Sequence, residues 1–203
     1  MGLYAMKESI YELLEMKHKP ECVEQVYAFA ETLGYKNELK SLGDKFYARQ
    51  LNVILYGLTN GLDVSVYAKP DFDEDQMTVI AWGLALDLDV SVYAKPVYDD
   101  LQMWYIYKGL KDGFLVDIYS NPEFTAEQMQ ELYSGIQIGL DVTPLANPEF
   151  TLRQIQEIRI GLQYRLDVSV YAKPDILAVQ MCEMRKKLYK DKYPSGITYM
   201  NLV

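Results

Sequence analysis

The chain has 203 residues, half of them hydrophobic, with a formal net charge of −9 and a pI near 4.7. The hydrophobic content excludes a disordered chain. The acidic balance argues against a generic binder of phosphate backbones, because such proteins carry a basic stripe.

Residues 1–34 are predicted to form two helices. Apolar side chains at helical spacing, among them Ile10 and Leu13, predict a first helix over residues 5–17. Pro20 suits the first position of a second helix, which is predicted to run to Leu33 and to stop at Gly34. We interpret the pair as an N-terminal helical cap for a repeat array that begins at residue 35.

The segment 35–190 repeats with a period of 26 residues. A proline and, six residues later, a glutamine mark the period at Pro70/Gln76, Pro96/Gln102, Pro122/Gln128, Pro148/Gln154 and Pro174/Gln180. A fixed period of this length is typical of repeat arrays and solenoids. Six repeats are predicted; the first (35–60) and the last (165–190) are degenerate, and residues 191–203 form a C-terminal tail.

Each repeat carries the start signal of a long helix. Asp73, Asp99, Thr125 and Thr151 stand at the N-cap, and a glutamine follows each of them three residues later. This pattern predicts a capping box, with an apolar staple between the residue before the cap and the fourth helical residue. The helix of about 13 residues that follows contains a recurring glycine, which predicts close helix–helix approach. That glycine recurs at Gly57, Gly83, Gly109, Gly135 and Gly161.

The segment before each long helix, LDVSVYAKP in the second repeat, is the ambiguous element. Its alternation of apolar and polar residues also fits a strand, which would give a horseshoe like that of leucine-rich repeats. The fourth copy, however, has Thr143-Pro144, a favoured helix start, and Ser65, Ser91 and Ser169 occupy the same cap position as Thr143. We therefore predict a short helical turn and an all-α fold, an α-solenoid of 26-residue repeats.

Familiar catalytic and metal-binding patterns are missing from the sequence. His18 is the only histidine, and there is no phosphate loop, no GxGxxG and no CxxC. Asp71, Asp73 and Asp75 begin like a calcium loop, but Gln76 stands where that loop requires glycine. We expect no cofactor, no metal and no enzymatic activity; an enzyme would need a pocket that gathers acidic residues with perturbed pKa values.

The cellular compartment of the protein is predicted from the membrane and export signals that the sequence lacks and from its cysteines. No apolar run reaches the length of a membrane span, and no signal peptide is recognised. Two widely separated cysteines, Cys22 and Cys182, fit a reducing compartment better than a disulfide scaffold. We therefore expect a cytoplasmic protein that does not bind membranes.

Aromatic residues supply the candidate binding site. The recurring tyrosines Tyr67, Tyr93, Tyr119 and Tyr171 are expected to pack between repeats. Other aromatics fall on the part of the long helices that changes between repeats, where they could anchor a protein partner or, alternatively, fill gaps against the short helices. The candidate partner-binding residues are Trp82, Trp104, Tyr105, Tyr107, Tyr133 and Tyr164.

The repeat pattern resembles that of a loosely defined family of bacterial helical-repeat proteins, found in Firmicutes and often on mobile elements. The resemblance covers about residues 35–190 and is carried by Leu62-Asp63-Val64-Ser65, Tyr67-Ala68, Pro70, Phe72, Gln76-Met77 and Ile158-Arg159-Ile160-Gly161-Leu162. It implies a role in conflict between mobile elements and host defence, for example as an inhibitor such as an anti-CRISPR.

The sequence thus predicts a non-enzymatic helical-repeat protein that binds a macromolecular partner, with a protein expected. The alternative is an acidic mimic of nucleic acid that occupies a basic groove. The charge is uneven, because residues 180–203 carry a net charge of about +3 and the rest is strongly acidic. We expect the acidic body not to bind nucleic acid directly.

Overall fold

A computed structural model describes residues 22–194, and these form helices and turns without a strand. The α-helices are α1 Val23–Leu33, α2 Lys36–Ser41, α3 Ala48–Thr59, α4 Glu74–Ala85, α5 Asp100–Lys111, α6 Ala126–Gln137, α7 Leu152–Gln163 and α8 Ala178–Lys192. The predicted all-α class is therefore confirmed for the described residues. The predicted helix over 5–17, Pro20, His18 and the tail residues 195–203 lie outside them.

The chain divides into two compact units, Met1–Lys111 and Asp112–Val203. In the N-terminal unit, α1 packs on α2 and α3, α3 packs on α4, and α4 packs on α5. In the C-terminal unit, α6 packs on α7 and α7 packs on α8. Consecutive long helices are thus neighbours within each unit, while the predicted cap, array and tail boundaries stay predictions.

The first described helix begins later than predicted. Cys22 has extended backbone angles and α1 starts at Val23, three residues after the predicted start at Pro20. The predicted stop is correct: Gly34 adopts a left-handed conformation with φ of +84° and its N–H bonds back to the last turn. The six-residue helix α2 was not predicted, because its short polar segment has no apolar periodicity.

All four predicted capping boxes are present, at the starts of α4, α5, α6 and α7. In α4, the Asp73 carboxylate accepts hydrogen bonds from the N–H groups of Asp75 and Gln76, and the Gln76 side chain accepts one from the N–H of Asp73 at 2.8 Å. Asp99, Thr125 and Thr151 do the same with their glutamines. These caps fix where each helix begins.

The short segments between long helices form 3₁₀ turns in four repeats, at Val64–Val66, Val90–Val92, Thr143–Leu145 and Val168–Val170. The helical interpretation is therefore correct and the strand alternative is wrong. The predicted caps are also wrong: Asp63, Asp89 and Asp167 cap the turns, since each carboxylate accepts from the N–H of the serine two residues later. The Asp141 carboxylate likewise accepts a hydrogen bond from the N–H of Thr143.

The recurring glycine makes room for a tyrosine rather than for a neighbouring long helix. The Tyr67 hydroxyl donates a hydrogen bond to the Val53 carbonyl at 3.2 Å and lies directly over Gly57, where any Cβ would overlap with it. Tyr93 and Tyr171 repeat this arrangement over Gly83 and Gly161. The prediction of close helix–helix approach is therefore corrected, because the close contact is with the 3₁₀ turn that follows.

Candidate functional site

Helices α5 to α8 have one partly exposed side whose residues change between repeats, whereas the equivalent positions of α3 and α4, such as Val53 and Val79, are buried. In α5, Leu101, Trp104 and Tyr105 lie three and four residues apart on this outward side, opposite the buried Met103 and Ile106. Leu101 is 46 % exposed, and Trp104 and Tyr105 are half-buried. An apolar and aromatic surface on an otherwise acidic chain therefore lies on the last helix of the N-terminal unit.

Three of the predicted aromatics form one cluster in this unit. The rings of Trp82 and Trp104 meet edge to face with centroids 6.0 Å apart, and Trp104 stacks on Tyr107 at 5.4 Å. Trp82 and Tyr107 are only 8 % and 3 % exposed, because they fill the space between α4 and α5. The structure thus buries these two candidates and leaves Trp104 as the accessible part of the cluster.

Two cations lie beside this cluster. The Lys108 ammonium is 6.0 Å from the centroid of the Trp104 ring, and the Lys111 ammonium is 6.0 Å from that of Tyr107. A cation at this distance is attracted to the negative face of an aromatic ring. The outward side of α5 therefore combines apolar, aromatic and positive groups, which suits a partner with an acidic rim around an apolar centre.

The remaining candidates lie in the C-terminal unit and are not brought together. Tyr133 is buried, packs against Phe114 at 5.9 Å and donates a hydrogen bond to the Asp112 carboxylate at 2.6 Å. Tyr164 is half-buried and meets Tyr189 edge to face at 4.7 Å. Tyr133 therefore has a structural position, and within the C-terminal unit Tyr133 and Tyr164 make separate contacts.

Sequence reasoning missed the exposed aliphatic residues on the same outward register. An open groove of about 660 Å³ lies between α7 and α8, and its lining includes Arg153, Gln156, Leu177 and Val179. Leu177 is 63 % and Val179 is 64 % exposed. Val179 lies 78 residues after Leu101, at the same position three repeats later, which is a usable sequence signal, whereas Leu177 stands at the cap position of α8.

Ion pairs join consecutive helices of the C-terminal unit. Arg159 pairs with Glu131 at 2.6 Å, and Arg185 pairs with Glu157 at 2.7 Å, each across 28 residues and largely shielded from solvent. Burial acts to lower the pKa of Arg185, but its hydrogen bond and charge contact with Glu157 raise that pKa above its ordinary value. These pairs fix how neighbouring repeats align.

We expect Arg159→Met to reduce the free energy of unfolding by about 1–2 kcal/mol, since the Glu131 carboxylate stays shielded without its cation. Denaturant unfolding measures the loss. Adding Glu131→Gln to Arg159→Met should recover at least half of it, because no shielded charge then remains. A double variant less stable than Arg159→Met would contradict this role of the pair.

Carboxylates also approach each other at the starts of α4 and α5. Burial, followed by the charges of Asp75, Asp73 and Asp99, raises the pKa of Asp100 above its ordinary value. The Asp73 oxygen is engaged in helix capping, and no group of three metal-ligating side chains is found within residues 22–194. The arrangement concentrates negative charge and offers no metal site in that range.

No family model, curated protein or solved structure matches the chain. Among the described residues, no helix combines the length and the apolar character needed to cross a membrane.

Proposed function

We propose that the chain is a non-enzymatic binding protein that uses the outward side of its long helices to hold a protein partner. The observation that carries this proposal is that changing positions on the outward side of α5 and α8 expose apolar residues, while recurring residues such as Met103 and Ile106 are buried. Leu101 and Val179, which are exposed aliphatics at the same position three repeats apart, are the plainest instances. Exposed apolar groups around a half-buried tryptophan are typical of protein-binding surfaces.

The repeats are further proposed to form a solenoid. Consecutive helix packing within each unit, and the identical cap and turn contacts from repeat to repeat, support this arrangement. The free thiols of Cys22 and Cys182 support a reducing compartment such as the cytoplasm. The resemblance to mobile-element repeat proteins supports a role as an inhibitor of a host defence system, an anti-CRISPR being one such inhibitor.

The second candidate function is an acidic mimic of nucleic acid. The grouping of Asp73, Asp75, Asp99 and Asp100 at the starts of α4 and α5 favours it, because closely spaced carboxylates resemble successive phosphates. The two functions differ in salt dependence. Binding of a mimic should weaken steeply with ionic strength, whereas binding through Leu101 and Trp104 should change little.

Affinity capture from a bacterial host lysate, followed by titration of the purified captured protein, tests the proposal. We expect Leu101→Asp and Trp104→Ala each to weaken the affinity at least tenfold, since a central aromatic or aliphatic anchor contributes about 2 kcal/mol or more. Gln130→Ala is the matched control, because Gln130 is exposed at the position equivalent to Trp104, one repeat later.

Thermal unfolding of each variant separates lost binding from lost folding; Leu101 is exposed enough for Leu101→Asp to leave the fold intact. Equal affinity for wild type, Leu101→Asp and Trp104→Ala would refute the proposed surface. A loss of affinity with rising salt that these two substitutions do not alter would favour the mimic instead.

A further inference from the structure

Four of the capping-box glutamines have a second hydrogen bond, which reaches the next repeat. The Nε2 of Gln50 donates to the carbonyl of Phe72 at 2.7 Å, and that of Gln154 donates to the carbonyl of Ile176 at 2.8 Å. Gln76 and Gln128 make the same bond, always to a carbonyl 22 residues later. All four glutamines are buried, so one amide caps its own helix and also holds the following repeat.

In the C-terminal unit a charged contact accompanies this bond. Gln128 and Glu131 on α6 bind the Phe150 carbonyl and Arg159, and Gln154 and Glu157 on α7 bind the Ile176 carbonyl and Arg185. In both cases the arginine lies nine residues after the carbonyl that the glutamine binds. The glutamine thus binds the carbonyl of the extended residue before the next helix. The glutamate, three residues after the glutamine, binds an arginine in the third turn of that helix.

Helix α8 carries the same glutamine–glutamate pair, but within residues 22–194 the pair binds no carbonyl and no arginine. Gln180 and Glu183 are exposed, although the equivalent Gln154 is buried and the equivalent Glu157 is largely shielded. The Gln180 side chain accepts a hydrogen bond from the Leu177 N–H at 3.1 Å, as the other glutamines do with their caps. Within residues 22–194, its Nε2 has no acceptor and Glu183 has no cation.

We propose that this side of α8 is a docking surface for a helix of a partner protein. The partner helix presents the carbonyl of an extended residue before its N-cap to Gln180, and an arginine nine residues later to Glu183. The surface continues an interface that the chain already builds twice in this unit. It lies on α8 of the C-terminal unit, whereas Trp104 lies on α5 of the N-terminal unit.

A second copy of the chain does not meet this requirement with its first repeat. There the residue before the helix is Phe46, which is buried, and nine residues later stands Leu55, which is buried and uncharged. Helix α1 also packs on α3 in the N-terminal unit. A partner whose helix carries an arginine in this register fits the charge of Glu183 better.

A fluorescein-labelled peptide of residues 148–164, which contains Phe150 and Arg159 in the required register, serves as the probe for the full-length chain. We expect saturable binding by fluorescence anisotropy, and a loss of affinity of about tenfold in Glu183→Arg through charge repulsion. The peptide with Arg159→Glu should bind wild type weakly and should recover affinity for Glu183→Arg. Glu149→Arg in the full-length chain, with the peptide unchanged, is the matched control for Glu183→Arg. Glu149 is exposed in the same unit and the charge change is identical.

Three results would overturn the proposal. One is the absence of binding up to about 1 mM peptide, the range of very weak complexes. Another is equal binding by wild type, Gln180→Leu and Glu183→Arg, with no rescue by the charge-reversed peptide. The third is a tenfold or greater gain in affinity when the chain is shortened after Pro194, since its own C-terminal residues would then be the occupant. Trp104→Ala should leave peptide binding unchanged, which separates this test from that of the outward surface.

Discussion

Gly83→Ala is expected to lower the free energy of unfolding by about 3 kcal/mol, although alanine favours helices over glycine by about 1 kcal/mol. The new Cβ would overlap with the Tyr93 hydroxyl and would lie 2.6 Å from the Val90 Cγ1. Tyr93 is fully buried and its hydroxyl bonds to the Val79 carbonyl, so its ring has nowhere to move. Urea unfolding followed by circular dichroism measures the change.

Gly135→Ala is the matched control for this substitution. Gly135 occupies the same helical position, but Leu145 replaces the tyrosine in the following turn and only Val142 approaches closely. We expect a loss of about 1 kcal/mol there, because a valine rotamer can adjust. Adding Tyr93→Phe to Gly83→Ala should restore part of the stability. Equal losses at Gly83 and Gly135 would show that the tyrosine is not the reason for the glycine.

Gln154→Leu should lower the free energy of unfolding by about 3 kcal/mol. The Gln154 amide accepts from the Thr151 N–H at 2.7 Å and donates to the carbonyls of Ile176 and Pro174 at 2.8 and 2.9 Å. Leucine has a similar volume but none of these bonds, and each buried polar group left without its bond costs about 1–3 kcal/mol. Denaturant unfolding gives the value.

The same substitution at Gln180 is its control. Gln180 is exposed and its one described hydrogen bond is to the Leu177 N–H. We expect Gln180→Leu to cost less than about 1 kcal/mol, since water can replace that bond. If both substitutions cost the same, then capping within a repeat, and not the link to the next repeat, would account for the recurring glutamine.

The sequence predicted the elements whose cause is local. Capping boxes depend on residues three apart, so Asp73 with Gln76 and Thr151 with Gln154 could be identified without coordinates. The helical character of the short turns followed from Thr143-Pro144, because proline disfavours a central strand. The cap of those turns was misplaced by two residues, since Asp63 and Ser65 are both good caps and spacing alone does not separate them.

Contacts between repeats could not be predicted from a single repeat. The second bond of Gln154 depends on where the Ile176 carbonyl lies, and the contact of Gly83 depends on how the following turn folds back. For the candidate site, periodicity identified the side of the helix that changes. It did not show that Trp82 and Tyr107 would turn toward each other between α4 and α5, because ring orientation is set by packing.

Site-specific photo-crosslinking tests the proposed binding surface most directly. Benzoylphenylalanine is introduced separately at Leu101, at Val179 and, as an exposed position outside the long helices, at Lys95. The proposed function predicts that the same protein is crosslinked from position 101, from position 179 or from both, and not from position 95. Crosslinks that form only from position 95 would contradict it.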